Sequence, residues 1–167
     1  MPRICRPLTE NQTRFFDALR ERVTQLGAGD LLHLPGANEP GLEFAGAVIG
    51  HPHETRSALY VDMSDDQISV CATDDMWNYK SSFLGSDHAE ALSLVEQILR
   101  EGVSATIARV GPLTVRADAQ VPSGRRLTVE AGSFRLGRIL ATLLGLQERT
   151  EHVEALAPFI TGGSDAA

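Results

Sequence analysis

The sequence predicts an α+β fold: one domain in which a mainly antiparallel sheet of six to seven strands is covered by three helices. Three observations predict it. Residues 86–102, SDHAEALSLVEQILREG, read as a helix that carries its own start and stop signals. Strand-like runs with period-two alternation lie on both sides of it. Helical and strand patterns come in separate runs, without the strand–helix alternation of a doubly wound parallel fold.

The elements follow in order. Thr9 to Leu26 predicts a first helix, with a Thr9/Gln12 capping box, an apolar stripe at Phe15, Phe16, Leu19, Val23 and Leu26, and Gly27 to stop it. Residues 27–41 are loop by their Gly and Pro content, pinned by Leu31, Leu32 and Leu34. Leu42 to Ile49 and Ser57 to Met63 are strands joined by a GHPHETR connector. Leu59, Val61 and Met63 alternate with Ala58, Tyr60 and Asp62; after Ser64-Asp65-Asp66, Ile68, Val70 and Ala72 alternate with Ser69, Cys71 and Thr73. This is the clearest hairpin. Tyr79 to Leu84 is a fourth strand leading into the central helix, which Asp87 caps with Glu90 closing the box; Ala91, Leu92, Val95, Ile98 and Leu99 form its inner face.

After Gly102 come three more strands: Val103 to Val110, Leu113 to Ala119 and Arg126 to Ala131. Thr114, Arg116 and Asp118 share a solvated face, while Leu113, Val115, Leu127 and Val129 point to the core. Ser133 caps a third helix containing Phe134, Leu136, Ile139, Leu140, Leu143 and Leu144. So broad an apolar surface needs covering on two sides, by the sheet and either a short final helix over Glu151 to Ile160 or another subunit. The domain spans residues 1–160, and 161–167 are a disordered tail.

Composition narrows the function classes. Net charge is −7, and residues 60–101 hold nine acidic against two basic residues while 102–149 hold seven basic against three acidic. An acidic whole disfavours nucleic acid or an anionic membrane as main partner. Absence of a signal-peptide run or of a long apolar stretch leads to the expectation of a soluble cytoplasmic protein. Cys5 and Cys71 lie in unrelated contexts and are expected as thiols.

Each candidate chemistry has a competing structural explanation. Asp62, Asp65, Asp66, Asp74 and Asp75 invite a metal cage, but the strand between the two Asp pairs separates them by roughly 20 Å. An acidic rim or partner surface is the expectation. His51-Pro-His53 could share a metal, yet lacks a third ligand at matching spacing; surface or capping roles are expected for it and for His33, His88 and His152. No nucleophile elbow, Walker loop or dinucleotide fingerprint is present. Arg109, Arg116, Arg125, Arg126, Arg135 and Arg138 lack the interleaved aromatics of single-strand binders, which leaves a solvated face able to pair with the acidic segment. The DDMWNY loop sets Trp77 and Tyr79 beside Asp74 and Asp75, a composition shared by binding anchors and by core lids.

Residues 57–102, with this hairpin, Trp-containing loop and helix, resemble small bacterial immunity proteins that neutralise secreted polymorphic toxins. The element order is also similar to that of type III secretion chaperones, acidic dimeric α+β proteins, from which the extra strand and the long apolar final helix depart. Both resemblances imply a non-catalytic acidic module, monomer or homodimer, that binds another protein: a cognate toxin or an effector segment. Neither implies a cofactor. For the immunity reading, Asp65, Asp66, Asp74 and Asp75 steer a basic partner and Trp77 and Tyr79 anchor it. The remaining alternative is a small enzyme using His51 or His53 with a carboxylate.

Overall fold

The computed structural model describes residues 6–39, 44–54, 57–64, 67–74, 79–111, 113–130, 139, 142–145, 147 and 149–160. The chain forms α1 (Glu10–Gln25), a 3-10 turn (Gly29–Leu31), β1 (Leu32–His33), β2 (Ala45–Gly50), β3 (Ala58–Met63), β4 (Ile68–Asp74) and β5 (Tyr79–Gly85). Then follow α2 (His88–Glu101), β6 (Val103–Val110), β7 (Leu113–Gln120), β8 (Arg126–Glu130) and β9 (Arg149–Leu156). The α+β class and the antiparallel pairing are as the sequence predicts.

The single sheet is not. Eight strands make two four-stranded antiparallel sheets, β2-β3-β4-β5 and β8-β7-β6-β9, with the two-residue β1 on the outer edge of the first. Their seam is β8, which changes partner midway: Arg126 and Leu127 ladder with Gln120 and Ala119 of β7, while Thr128 to Glu130 ladder with Ser82 to Lys80 of β5. Accumulated right-handed twist makes a long row of strands curl or split, and β9 at the far end returns to approach β4.

The final segment is a second correction. The sequence reading places a short final helix over Glu151 to Ile160; instead Arg149–Leu156 is the edge strand β9. The open edge of β6 decides this, since β9 satisfies a row of backbone groups that a helix would leave unpaired. Of the expected third helix, Ile139 and residues 142–144 are helical and its other positions from 133 to 141 lie outside the described residues.

The core lies between the helices and the sheets. Phe15, Phe16, Leu19 and Val23 of α1 and Ala91, Leu94, Val95, Ile98 and Leu99 of α2 are buried against Leu59, Val61, Met63, Ile68 and Val70, and Ile107 and Leu156 join the same cluster. Leu94 replaces the anticipated Leu92, which is only partly buried. The Thr9 capping box is formed. At α2, Asp87 accepts from the amides of Ala89 and Glu90, but the Glu90 carboxylate takes Arg125 at 2.6 Å instead of closing a box.

Two details fix the helices in place. Gln12 is fully buried, donating to Asn38 Oδ1 at 2.8 Å and to the Met63 carbonyl at 3.0 Å while its Oε1 accepts from Thr9 N at 2.9 Å; Asn38 in turn donates to the Pro7 carbonyl. Gly102 ends α2 at φ 71° and ψ −165°, where a Cβ would run into the Leu156 carbonyl oxygen and approach Pro158 N to 3.0 Å. Glycine is required there twice over, by conformation and by space. Just beyond, the amides of Phe159 and Ile160 both donate to the Leu99 carbonyl, at 2.9 and 3.0 Å, and so cover the end of the helix.

Candidate functional site

The hairpin that carries the sequence-predicted binding residues is present. β3 and β4 pair from Ala58↔Thr73 to Met63↔Ile68, and Ser64 N donates to the Gln67 carbonyl at 3.0 Å, bracketing the first acidic pair. Asp65 and Asp66 themselves lie outside the described residues. β4 and β5 pair down to the rung Asp74↔Tyr79, so these two positions stand directly opposite one another. Asp75 and Trp77, between them in sequence, lie outside the described residues. Asp74 and the 65–66 turn flank opposite ends of β4, separated by its length of roughly 20 Å at about 3.3 Å per residue. The structure therefore brings Asp74 and Tyr79 together and keeps them away from the other end of the hairpin.

The histidine loop is held by its own backbone. His51 Nδ1 accepts from the amides of His53 and Glu54, at 3.2 and 3.0 Å, and Ser57 Oγ donates to Glu54 Oε2 at 2.8 Å. An accepting Nδ1 places the proton of the neutral ring on Nε2, an atom that is inaccessible to solvent and makes no hydrogen bond. The ring packs edge-on against Phe159, with centroids 4.8 Å apart, and against His53 at 6.1 Å. This geometry caps a loop and docks it on the C-terminal segment. Among the described residues, no group of three or more His, Cys, Asp or Glu stands close enough to hold a metal ion.

The second sheet carries two arrangements that the sequence did not announce. On its solvated face, Thr106 Oγ1 and His152 Nδ1 are 2.8 Å apart, and Asp118 stands across from Thr106 on β7. The order Asp118–Thr106–His152 puts the hydroxyl in the middle. A nucleophile–base–acid relay needs the imidazole there, so this is a cross-strand polar ladder.

Where β6 and β9 end, Arg109 stands directly opposite Arg149. Glu151, on the same strand face as Arg149 by alternation, meets Arg109 Nε at 3.1 Å. These three line an open groove of about 700 Å³ together with Val110, Gly111 and Gln147. Of the other described arginines of the basic third, Arg125 pairs with Glu90 on α2 and Arg116 with Asp118 on its own strand at 3.5 Å. Only knowledge of the register could have exposed the arginine pair, because its members are far apart in sequence.

Two further features complete the description. Ile139, Leu143 and Leu144 are 56%, 76% and 66% exposed. Cys71 is a buried thiol, and among the described residues no helix is long and apolar enough to cross a membrane. Compared with known protein families, curated proteins and solved structures, the chain matches none of them.

Proposed function

We propose that the chain is a non-catalytic acidic module that binds another protein, and that it acts as an immunity-type inhibitor occluding a cognate toxin. The observation that carries this reading is the paired end of the β4–β5 hairpin: the Asp74↔Tyr79 rung flanks the sequence position of the chain's only Trp, within the segment that holds most of its acidic excess. A large aromatic beside carboxylates suits a partner with a basic cleft, the aromatic contributing affinity and the carboxylates the rate of encounter.

The test is capture of a stoichiometric partner from the native lysate at low and high salt, followed by measurement of its toxicity with and without this chain. Association that slows steeply with salt, neutralisation of the partner, and loss of both in a folded Trp77→Ala variant are expected. Unchanged affinity in that variant overturns the anchor, and a harmless partner overturns the immunity role.

A specific observation favours a second reading, the chaperone-like homodimer that holds an effector segment. The exposed Ile139, Leu143 and Leu144 present apolar area that a second copy would cover. Light scattering separates the readings: a dimer that Leu143→Asp converts to monomer supports the chaperone, and a monomer at high concentration supports the inhibitor.

A further inference from the structure

β9 ends the row of strands: it is bonded to β6 on one side and, among the described residues, to no strand on the other. The opposite end of the row is β1, only two residues long, a short edge that offers little backbone to a passing chain. β9 is eight residues long and carries neither Pro nor Lys, the residues that commonly blunt an edge. Its C-terminal end is buried at Leu156, whereas Arg149, Thr150, Glu151 and His152 are all exposed, on both faces of the sheet. The outer side of this half is placed to take one more strand.

The side chains say which strand fits. Two antiparallel strands related by a two-fold axis pair about one residue that meets its own copy, and residues equally far on either side of it stand opposite one another on one face. An axis through Arg149 or Glu151 brings like charges together. An axis through His152 sets Arg149 opposite Ala155 and Glu151 opposite Val153, and forms no ion pair. An axis through Thr150 sets Arg149 opposite Glu151 of the partner subunit, twice by symmetry, and one threonine against the other, both favourable cross-strand pairs. Of the four exposed positions, only Thr150 makes β9 complementary to itself. A second observation points to the same occupant: Leu144, exposed with Ile139 and Leu143, precedes Arg149 by five residues, so a copy seated on β9 stands beside apolar side chains that a neighbour would cover.

We propose that two copies join through their β9 edges, antiparallel and centred on Thr150, so that the second sheets of the two subunits form one continuous sheet. This rests on the homodimer reading given above and adds its geometry.

The test is cross-linking of a Thr150→Cys chain, in a Cys5→Ser background, by oxidised glutathione. Directly opposite residues have Cα atoms about 4.5–5.5 Å apart, a distance that a disulfide spans, so a covalent dimer is expected. His152→Cys, two positions from the axis, is expected to stay unlinked; linkage there and not at Thr150→Cys overturns the register. Arg149→Glu and Glu151→Arg each set like charges opposite one another across the axis. Each alone is expected to weaken dimerisation about tenfold or more by analytical ultracentrifugation, and an equimolar mixture of the two to recover it, because each chain then offers the charge the other lacks. No recovery on mixing, with circular dichroism unchanged in both variants, overturns the pairing. A chain that stays monomeric at high concentration overturns the homodimer reading and the pairing together. A dimer that Leu143→Asp dissociates but Thr150→Cys does not link leaves that reading standing and overturns the pairing alone. A Thr150→Cys chain that links in lysate to a different protein in preference to itself assigns the edge to a foreign extended strand and overturns the second copy.

Discussion

The two ends of the molecule treat polar groups in opposite ways. Beneath α1, Gln12 and Asn38 are buried and their amides are matched to the Met63 and Pro7 carbonyls and to Thr9 N. At the end of β6 and β9, two arginines face each other across one rung, and Glu151 pairs with Arg109. The first arrangement satisfies each amide and so fixes one geometry for the N-terminal arm, the helix and β3. The second sets like charges opposite one another on a solvated edge. The contrast separates a buried network that holds this fold from a surface rung on which the fold does not depend.

The largest effect that bears on the contrast is expected from Gly102→Ala. A side chain there combines a glycine-only backbone conformation with a clash against the Leu156 carbonyl, a cost of about 3 kcal/mol or more. Urea unfolding should show a lower midpoint with unchanged slope; an unaltered midpoint would mean that the C-terminal segment does not pack against α2 in solution. Gln12→Leu comes next. It strands Asn38 Oδ1, the Met63 carbonyl and Thr9 N, at an expected cost of about 2–3 kcal/mol despite the apolar gain. Thermal melting checks this, and a neutral result would show that water replaces the side chain.

Arg149→Gln should do the least to stability. Relief of a like-charge rung is expected to change it by no more than about 0.5 kcal/mol, in the stabilising direction. Loss of stability well beyond that would show the pair to be part of the scaffold and would erase the contrast between the two ends.

Much of the scaffold was legible because its signals are local. The Thr9/Gln12 box, the Asp87 cap, the Gly102 stop and the alternation of Leu59, Val61 and Met63 each depend on residues a few positions apart. What escaped depends on distant partners. β9 looks helical until the bare edge of β6 is present, Glu90 looks like a box residue until Arg125 arrives, and the Gln12–Asn38 bond joins residues that share no periodicity. The arginine rung belongs to the same class: each Arg is ordinary alone, and only register makes them a pair.

The seating of β9 also sets a timetable. β6, at residues 103–110, borders β7 immediately but waits for residues 149–156 to close its other side. During synthesis the ribosome therefore releases a hairpin with one naked edge, and that edge is a template for any extended chain nearby until the late strand arrives. Phe159 and Ile160 then lock onto the Leu99 carbonyl, so assembly of the second sheet and sealing of α2 finish together. A nascent chain halted before that point would be hazardous to its neighbours, and rescue would require only the missing strand supplied as a peptide.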